Sequence, residues 1–201
     1  VLFLDEPAEF SRKTLDALRQ PVEDKKVSVA RVNGAHTYPA NFMFVTAMNP
    51  CPCGFYGSAD KECTCTPQAI SKYMGKISGP LLDRIDIQIE VSPVKYEKLG
   101  NDEMPESSDT IRKRVNDARK IQIERYKQEN IYSNSSLTPK LISKYCKLDS
   151  EGKEILQTAF EKMGLSARAY GRILKVARTI ADLDNCENIQ KIHIAEAIQY
   201  R

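Results

Sequence analysis

Two adjacent carboxylates, Asp5 and Glu6, follow a run of four apolar residues at positions 1–4. A continuous apolar run is typical of a parallel β-strand that is covered on both faces. Ligands of open α/β sheets bind beyond the carboxyl ends of such strands. There, Asp5 could hold a magnesium ion and Glu6 could activate a water for attack on a phosphate. The pattern predicts a nucleotide-hydrolysing site, and its alternative is a core strand that ends in a polar turn.

Four of the six cysteines form two close pairs, Cys51 with Cys53 and Cys63 with Cys65. Cysteines two residues apart on an extended chain point to the same side. Two such pairs could therefore close a tetrahedral zinc site with four thiolate ligands. Free thiols or a redox pair are the alternatives. The remaining two cysteines, Cys146 and Cys186, stand singly in helical segments, where we expect small buried apolar residues.

Three further polar residues stand where they could reach a phosphate. Asn49 follows a second apolar run over 42–47, although the residues alone favour a turn role before Pro50. Arg84 lies between two aspartates, where it could form a surface ion pair or reach the nucleotide of a neighbouring subunit. Arg168 lies in the first turn of a predicted helix. A cation there gains nothing from the helix dipole, which slightly favours a functional role over a solvated charge.

A predicted β-hairpin over residues 27–38 carries basic side chains. The pair Asn33-Gly34 between two strand-like runs is typical of a hairpin turn, because both turn positions need positive φ. Basic residues on a hairpin are suited to contact with a phosphate backbone. The candidate DNA contacts are Lys25, Lys26, Arg31 and His36.

The elements that must position these residues change in character near residue 93. Before it, we predict strands over 1–4 and 42–47, an alternating half-buried strand over 85–91, and a first helix that stops near Pro21. After a polar segment, we predict helices alone. They cover residues 109–128, a stretch that begins at Thr138-Pro139, and residues 150–162, 166–183 and 189–200.

Composition restricts the class of protein. The 201 residues are 41% apolar and 28% charged, which is typical of a soluble globular protein. The net charge of +3 gives no indication of a polyanionic binding partner. We expect no membrane partner, because no apolar stretch approaches a membrane-spanning length. The cysteine usage favours the reducing cytoplasm over a secreted, disulfide-linked domain.

A phosphate-binding loop of the form G-x-x-x-x-G-K-[ST] is not found in the sequence. Gly75-Lys76 is followed by Ile77, and Gly152-Lys153 is followed by Glu154. We therefore expect the chain to be the C-terminal part of a larger ATPase, inactive in hydrolysis when alone.

Several segments, in this order, resemble the magnesium-chelatase-like AAA+ ATPases, nearest to the branch that acts on DNA in natural transformation. They are VLFLDEPAEFSRKTLDALRQPVED, YPANFMFVTAMNPCPCGFYG, CTP, SGPLLDRIDIQIEV and SARAYGRILKVARTIADL. The resemblance covers nearly the whole chain. One departure is Pro7, which stands where the family pattern favours a larger apolar residue and could alter the start of the following helix.

The resemblance implies a role for each candidate residue. Asp5 and Glu6 match the Walker B motif, which binds the magnesium of ATP and activates water. Asn49 matches the sensor 1 residue. Arg84 matches an arginine finger that acts on the nucleotide of a neighbouring subunit, and Arg168 matches the sensor 2 arginine.

The resemblance also implies an architecture and partners. The fold class would be α/β, the C-terminal half of an AAA+ parallel-sheet core with an inserted hairpin, followed by an all-α lid. The expected domains are a partial core over 1–92, a linker with a long helical insertion over 93–133, and the lid over 134–201. Residues 25–40 match a hairpin that points into the pore of a ring, so the expected partners are further copies in a hexamer and DNA.

Three functions remain open from the sequence. The leading one is an ATPase that couples hydrolysis to DNA remodelling or branch migration as a ring helicase, with ATP and Mg²⁺ as cofactors and Zn²⁺ as a third. The second is the ATPase motor of a magnesium chelatase that acts on a porphyrin. The third is a zinc-stabilised assembly or DNA-contact module without activity of its own.

Overall fold

A computed structural model describes residues 1–31, 34–58, 60–92 and 105–201. The chain forms two compact units. The first is built mainly from Val1–Ile85, and the second from Asp86–Ile89 and the helices after residue 104. The predicted domain boundaries at 92/93 and 133/134 stay predictions, and the first of them adjoins residues 93–104, which lie outside the described part of the chain.

The first unit contains strands, short helices and a cysteine-rich loop. Its elements are β1 (Leu2–Asp5), a 3-10 turn (Pro7–Glu9), α1 (Arg12–Ala17), α2 (Arg19–Asp24), β2 (Lys26–Arg31), β3 (Gly34–Pro39), β4 (Phe44–Ala47), α3 (Pro67–Met74) and α4 (Gly79–Leu82). The 3-10 turn begins at Pro7, so the unusual proline separates the carboxylates from α1.

Strands β1 and β4 pair in parallel, as expected for an α/β core, with Leu4 opposite Thr46 and Asp5 opposite Ala47. One face of this sheet packs inward through Leu4. The prediction that both faces are covered is wrong for the described residues, because Phe3 on the other face is 57% exposed. An apolar run indicates which residues prefer burial, whereas the second covering layer has to come from elsewhere in the tertiary structure.

The core of this unit joins the sheet to α1 and to the segment around α4. It contains Leu4, Leu15, Ile77 and Leu81, all at most 9% exposed. The prediction that the first helix stops near Pro21 is wrong, because α2 continues to Asp24. Pro21 is the third residue of α2, in the first turn of a helix, where a missing N–H leaves no hydrogen bond unmade.

Strands β2 and β3 form the predicted hairpin, antiparallel and in a register that pairs Arg31 with Gly34. Gly34 has a φ of +138° and belongs to β3. The Asn33 half of the predicted Asn-Gly turn lies outside the described residues. Within the hairpin, Ser28 and Thr37 share a hydrogen bond between their hydroxyl oxygens at 2.9 Å.

The alternating strand predicted over 85–91 is wrong. This segment forms no ladder with the described residues, and Ile87, Ile89 and Val91 are 52%, 69% and 79% exposed. The backbone N–H of Gln88 instead donates to the carbonyl of Tyr200 at 2.9 Å. An alternating pattern predicts a strand only where a neighbouring strand supplies the ladder, and here a helix end takes the hydrogen bond.

The second unit is helical, as predicted. Its elements are α5 (Ser108–Arg125), a 3-10 turn (Asn134–Ser136), α6 (Pro139–Tyr145), α7 (Ser150–Met163), α8 (Ala167–Leu183) and α9 (Lys191–Gln199). Side-chain caps begin most of these helices, because the first backbone N–H groups have no partner within the helix. Thr138 accepts from Leu141 N as predicted, and Asp149 accepts from Gly152 N at 2.7 Å.

Helix α8 forms the centre of this unit and buries an apolar stripe at helical spacing, which includes Ala169, Ile173 and Ala177. Both isolated cysteines contribute to this core, Cys146 at 4% exposure and Cys186 at its edge. The chain thus has a unit with a parallel strand pair followed by an all-α unit, which is the order of α/β and helical parts that the sequence predicts. Among the described residues, no helix is both long and apolar enough to cross a bilayer.

Candidate functional site

The carboxyl ends of β1 and β4 bring two of the candidate residues together. The register places Asp5 beside Ala47, and the backbone N–H of Glu6 donates to the carbonyl of Ala47 at 2.9 Å. Asn49 lies two residues after Ala47, just beyond the carboxyl end of β4. Residues 43 positions apart in sequence therefore meet at one edge of the sheet, which is where α/β proteins bind their ligands.

Asn49 Nδ2 donates a hydrogen bond to Glu6 Oε1 at 2.7 Å. The amide therefore faces the catalytic candidate and not merely the turn before Pro50, which is the role that the residues alone favoured. Glu6 has a left-handed backbone conformation, with φ 50° and ψ 56°. A non-glycine residue in this region carries strain that persists where the surrounding structure imposes it, and such residues concentrate at functional sites.

Asp5 is exposed at the end of β1, and its carboxylate makes no hydrogen bond or ion pair with another described residue. A carboxylate with available oxygens is the ligand type that Mg²⁺ prefers. The residues present therefore fit a magnesium ion, with Asp5 as its ligand beside Glu6.

Tyr73 is a site residue that the sequence reading missed. It lies on α3, is 6% exposed, and its hydroxyl is buried without a well-oriented hydrogen-bond partner among the described residues. Burial raises the pKa of Tyr73, and the carboxylates of Glu6 and Glu9 raise it further. Tyr73 thus places a buried, neutral phenol beside Glu6. No spacing in the sequence connects positions 6 and 73.

Arg84 follows α4 and forms an ion pair with Glu23, with Nε and Oε2 separated by 2.6 Å. Its Nη1 also donates to the carbonyl of Pro80 at 2.6 Å, and its side chain is 12% exposed. The partner is therefore a distant glutamate and not either of the flanking aspartates. As an arginine finger, Arg84 would have to exchange Glu23 for a phosphate, so that role stays a prediction.

Arg168 lies in the first turn of α8, in the second unit, and is exposed. Its sensor role stays a prediction. One turn further along α8, Arg172 pairs with Asp86, with Nη1 and Oδ1 2.5 Å apart. Asp86 also belongs to the helical unit. This pair therefore ties the start of the helical unit to the helix that carries Arg168.

The four clustered cysteines come together as the spacing predicts. Their sulfur atoms all lie within 4.8 Å of one another, with Cys51 and Cys53 3.4 Å apart, and Cys63 3.7 and 3.5 Å from these two. A zinc ion with four thiolates at about 2.3 Å requires sulfur separations of about 3.8 Å, whereas a disulfide requires about 2.05 Å. The spacing therefore fits a tetrahedral metal centre, and all four cysteines are free thiols.

The thiols differ in their tendency to ionise. The backbone N–H of Phe55 lowers the pKa of Cys53 to about 5, with help from the backbone at Thr64. Although the backbone at Cys65 favours ionisation of Cys63, burial and the neighbouring sulfurs raise the pKa of Cys63 to about 12. Negative charge on the sulfur of Cys51 thus opposes ionisation of Cys63. A divalent cation would remove that opposition and favour four thiolates.

The candidate DNA contacts divide between the two faces of the hairpin. Cross-strand neighbours share a face, so His36 lies beside Val29 and on the same side as Arg31 and Tyr38. Lys26 lies on the opposite face, and Lys25 precedes β2 with a φ of 55°. One face therefore combines basic and aromatic side chains, the pair of features that nucleic-acid surfaces use. Tyr38, 56% exposed, was missing from the predicted contacts.

Two family models match consecutive parts of the chain. The model described as magnesium chelatase, subunit ChlI, matches residues 1–99, and the model of the C-terminal part of subunit ChlI matches residues 105–201. Together they cover both structural units. The gap between the matches falls in the segment that separates the predicted core from the helices.

Three proteins illustrate the range of relatives, each aligned over the whole of this chain. Competence protein ComM of Haemophilus influenzae is 46% identical, and the uncharacterized protein YifB of Escherichia coli is 43% identical. An uncharacterized protein of Mycobacterium tuberculosis is 36% identical. The chain spans 38–39% of the length of these relatives.

Proposed function

The chain belongs to the magnesium chelatase family, and from this premise we propose that the intact protein is an AAA+ ATPase that remodels DNA. The observation that carries the proposal is the hydrogen bond from Asn49 to Glu6 beside the exposed Asp5 at the carboxyl edge of the sheet. This arrangement supplies a fixed general base next to a metal ligand. The resemblance to the branch that acts on DNA in natural transformation favours DNA over other substrates, and a competence protein is among the relatives.

In this proposal each residue at the sheet edge has a distinct task. Asp5 holds the magnesium that, when bound, neutralises charge on the phosphates of ATP. Glu6 accepts a proton from the attacking water. Asn49 fixes the orientation of the Glu6 carboxylate, because one of its oxygens is engaged by the amide. A base held in place needs no reorganisation at the moment of reaction.

The direct test is Glu6→Gln in the intact protein, with hydrolysis followed by phosphate release and nucleotide binding followed by a fluorescent ATP analogue. We expect turnover to fall at least 100-fold while ATP binding is retained, because the amide cannot accept the proton of water. Glu124→Gln is the matched control, since Glu124 is an exposed carboxylate on α5 in the helical unit. Hydrolysis that survives Glu6→Gln unchanged would refute the role of Glu6.

The proposed assembly is a ring, a hexamer in the intact protein, with ATP between subunits. Arg84 then acts on the nucleotide of the neighbouring subunit, and Arg168 contacts the nucleotide from the helical lid. The hairpin supplies DNA contacts through Lys25, Lys26, Arg31 and His36. The support for these roles is the family pattern, together with the planar, permanently charged guanidinium that phosphate oxygens require.

We also propose Zn²⁺ as a cofactor, bound by Cys51, Cys53, Cys63 and Cys65. The support is the mutual distance of the four sulfur atoms, which fits a tetrahedral site. Elemental analysis of purified protein should find one zinc per chain. A cytoplasmic location is consistent with this proposal, because reducing conditions keep the thiols available as ligands.

A magnesium chelatase motor is the second candidate, favoured by the description of both matching family models. The two functions differ in what stimulates hydrolysis. DNA should accelerate ATP hydrolysis by the intact protein if the leading proposal holds, whereas magnesium insertion into a porphyrin would support the chelatase motor. A gel shift with this chain alone tests the third possibility, a zinc-stabilised module that contacts DNA without activity of its own.

A further inference from the structure

The cysteine loop, residues 51–65, begins two residues after Asn49, and its first residue, Cys51, makes the contacts that form its turn. Cys51 is fully buried, its carbonyl accepts from the backbone N–H of Gly54 at 3.0 Å, and its sulfur accepts from the backbone N–H of Tyr56 at 3.3 Å. The described residues between Met48 and Thr66 form neither helix nor strand. Their conformation therefore depends on these turn contacts and on the four sulfur atoms.

The same loop folds back over the Asn49 side chain. Gly54 has a φ of +83°, and a methyl group built on it would lie 3.9 Å from Asn49 Oδ1. On its other side, Asn49 Nδ2 donates to Glu6. The amide therefore lies between the turn at Gly54 and the carboxylate of the proposed base. Only Pro50 separates Asn49 from Cys51 in the chain, so a shift of Cys51 would move the amide.

We propose that a zinc ion held by the four cysteines positions Asn49 on Glu6, so that metal occupancy sets the rate of ATP hydrolysis. This inference rests on the proposed function of Glu6. Without the ion, only the turn contacts of Cys51 hold this segment, because its described residues form neither helix nor strand. With the ion, metal–thiolate bonds would join Cys51 and Cys53 to Cys63 and keep Gly54 beside Asn49. Asn49 is a positioning residue, and the zinc acts through it.

The first experiment measures structure without activity. Hydrogen exchange by mass spectrometry is recorded on the intact protein as purified, after zinc removal with a chelator, and after zinc is restored. We expect exchange in peptides from residues 44–58 and from the segment around Glu6 to accelerate at least tenfold on removal and to recover on restoration. Peptides from α8 serve as the internal control and should not change. Unchanged exchange over 44–58 overturns the proposal.

The second experiment separates positioning from binding. Cys63→Ser combined with Cys65→Ser should remove zinc and lower kcat at least tenfold while KM for ATP changes less than threefold. Cys65→His, which retains a zinc ligand, should restore both metal and kcat, whereas Cys186→Ser outside the cluster should match the wild type. A zinc-free variant with normal kcat overturns the proposal, and so does a protein whose four cysteines form disulfides.

The outcomes distinguish this inference from the proposed function. If the intact wild-type protein hydrolyses no ATP, the proposed function fails, and the exchange experiment still decides whether zinc holds the Asn49 segment. If hydrolysis is normal but zinc removal alters neither exchange nor kcat, the ATPase proposal stands and the positioning role of the metal is refuted.

Discussion

At the scale of single residues, the Glu6 carboxylate is restrained by its backbone and by one amide. The left-handed conformation of Glu6 directs its side chain, and Asn49 holds one oxygen at 2.7 Å. Pro7 fixes the next φ and starts the 3-10 turn, so the backbone after the carboxylate is stiff as well. These restraints are typical of a preorganised catalytic base.

We predict that Asn49→Ala lowers kcat of the intact protein about 10- to 100-fold. A hydrogen bond to a charged group is worth about 1.5–3 kcal/mol, and each 1.36 kcal/mol corresponds to about tenfold in rate. Steady-state kinetics measures the change, and ATP binding should be unaffected. Asn41→Ala in the exposed segment before β4 is the control. If Asn49→Ala reacts at the wild-type rate, the hydrogen bond has no catalytic role.

We predict that Arg84 acts between subunits. Arg84→Ala and Glu6→Gln should each be inactive alone, but mixed assemblies of the two variants should recover part of the activity, because an intact Glu6 can meet an intact Arg84 from its neighbour. Phosphate release on mixing is the measurement. A mixture of Glu6→Gln with Asn49→Ala is the control, since both damage the same sheet edge. No recovery in the first mixture would place Arg84 in its own subunit's site.

At the scale of elements, the β2–β3 hairpin contributes side chains to a surface more than to a core. All described residues of β2 and β3 are exposed except Val27, which is half-buried. An isolated two-stranded hairpin is marginally stable. It is attached at its base, where the N–H of Ala40 donates to the carbonyl of Lys25 at 2.8 Å. An exposed pair of strands with basic residues is suited to a partner.

We predict that the two faces of the hairpin differ in DNA binding. Arg31→Ala combined with His36→Ala should weaken binding at least tenfold and reduce the salt dependence by about one counterion per lost phosphate contact. Ser28→Ala on the opposite face should bind like the wild type, because its hydroxyl already pairs with Thr37. Fluorescence anisotropy over a salt series is the measurement. Equal effects of both changes would contradict a stronger DNA contact on the face of Arg31 and His36.

At the scale of the whole molecule, each unit has its own core, and the helical unit also has a buried charge cluster. Asp182 is fully buried and accepts hydrogen bonds from Arg125, Arg178 and Asn134. Arg178 in turn donates to the carbonyls of two residues that follow α8. The cluster thus ties α5, α8 and the following loop, and the sequence reading missed it.

We predict that Asp182→Ala lowers the free energy of unfolding of the helical unit by about 3–5 kcal/mol, because it leaves buried arginine charge without a partner. Asp117→Asn is the matched control. It breaks an exposed pair with Lys120 and should cost about 0–1 kcal/mol. Chemical denaturation followed by circular dichroism measures both. Equal stability of the two variants would show that the Asp182 cluster is not a structural centre.

The features that depend only on residues close together in the chain could be predicted from the sequence alone. The caps at Thr138 and Ser166, the apolar stripe of α8 and the close spacing of the cysteines each depend on neighbours within a few residues. The paired carboxylates after an apolar strand likewise identified the sheet edge, because a strand's end and its polar residues adjoin in the chain. For the same reason the α/β character of the first half and the helical character of the second were predictable.

Contacts between distant positions were decided only by the tertiary structure. The amide of Asn49 reads as a turn residue until the register of β1 and β4 brings it to Glu6. The partner of Arg84 is Glu23 and not an adjacent aspartate. The alternation over 85–91 predicted a strand, but a strand forms only beside another strand. The order of residues along the chain determines whether a segment favours burial, a turn or a strand. Which residue or strand it then pairs with depends on how distant segments pack together.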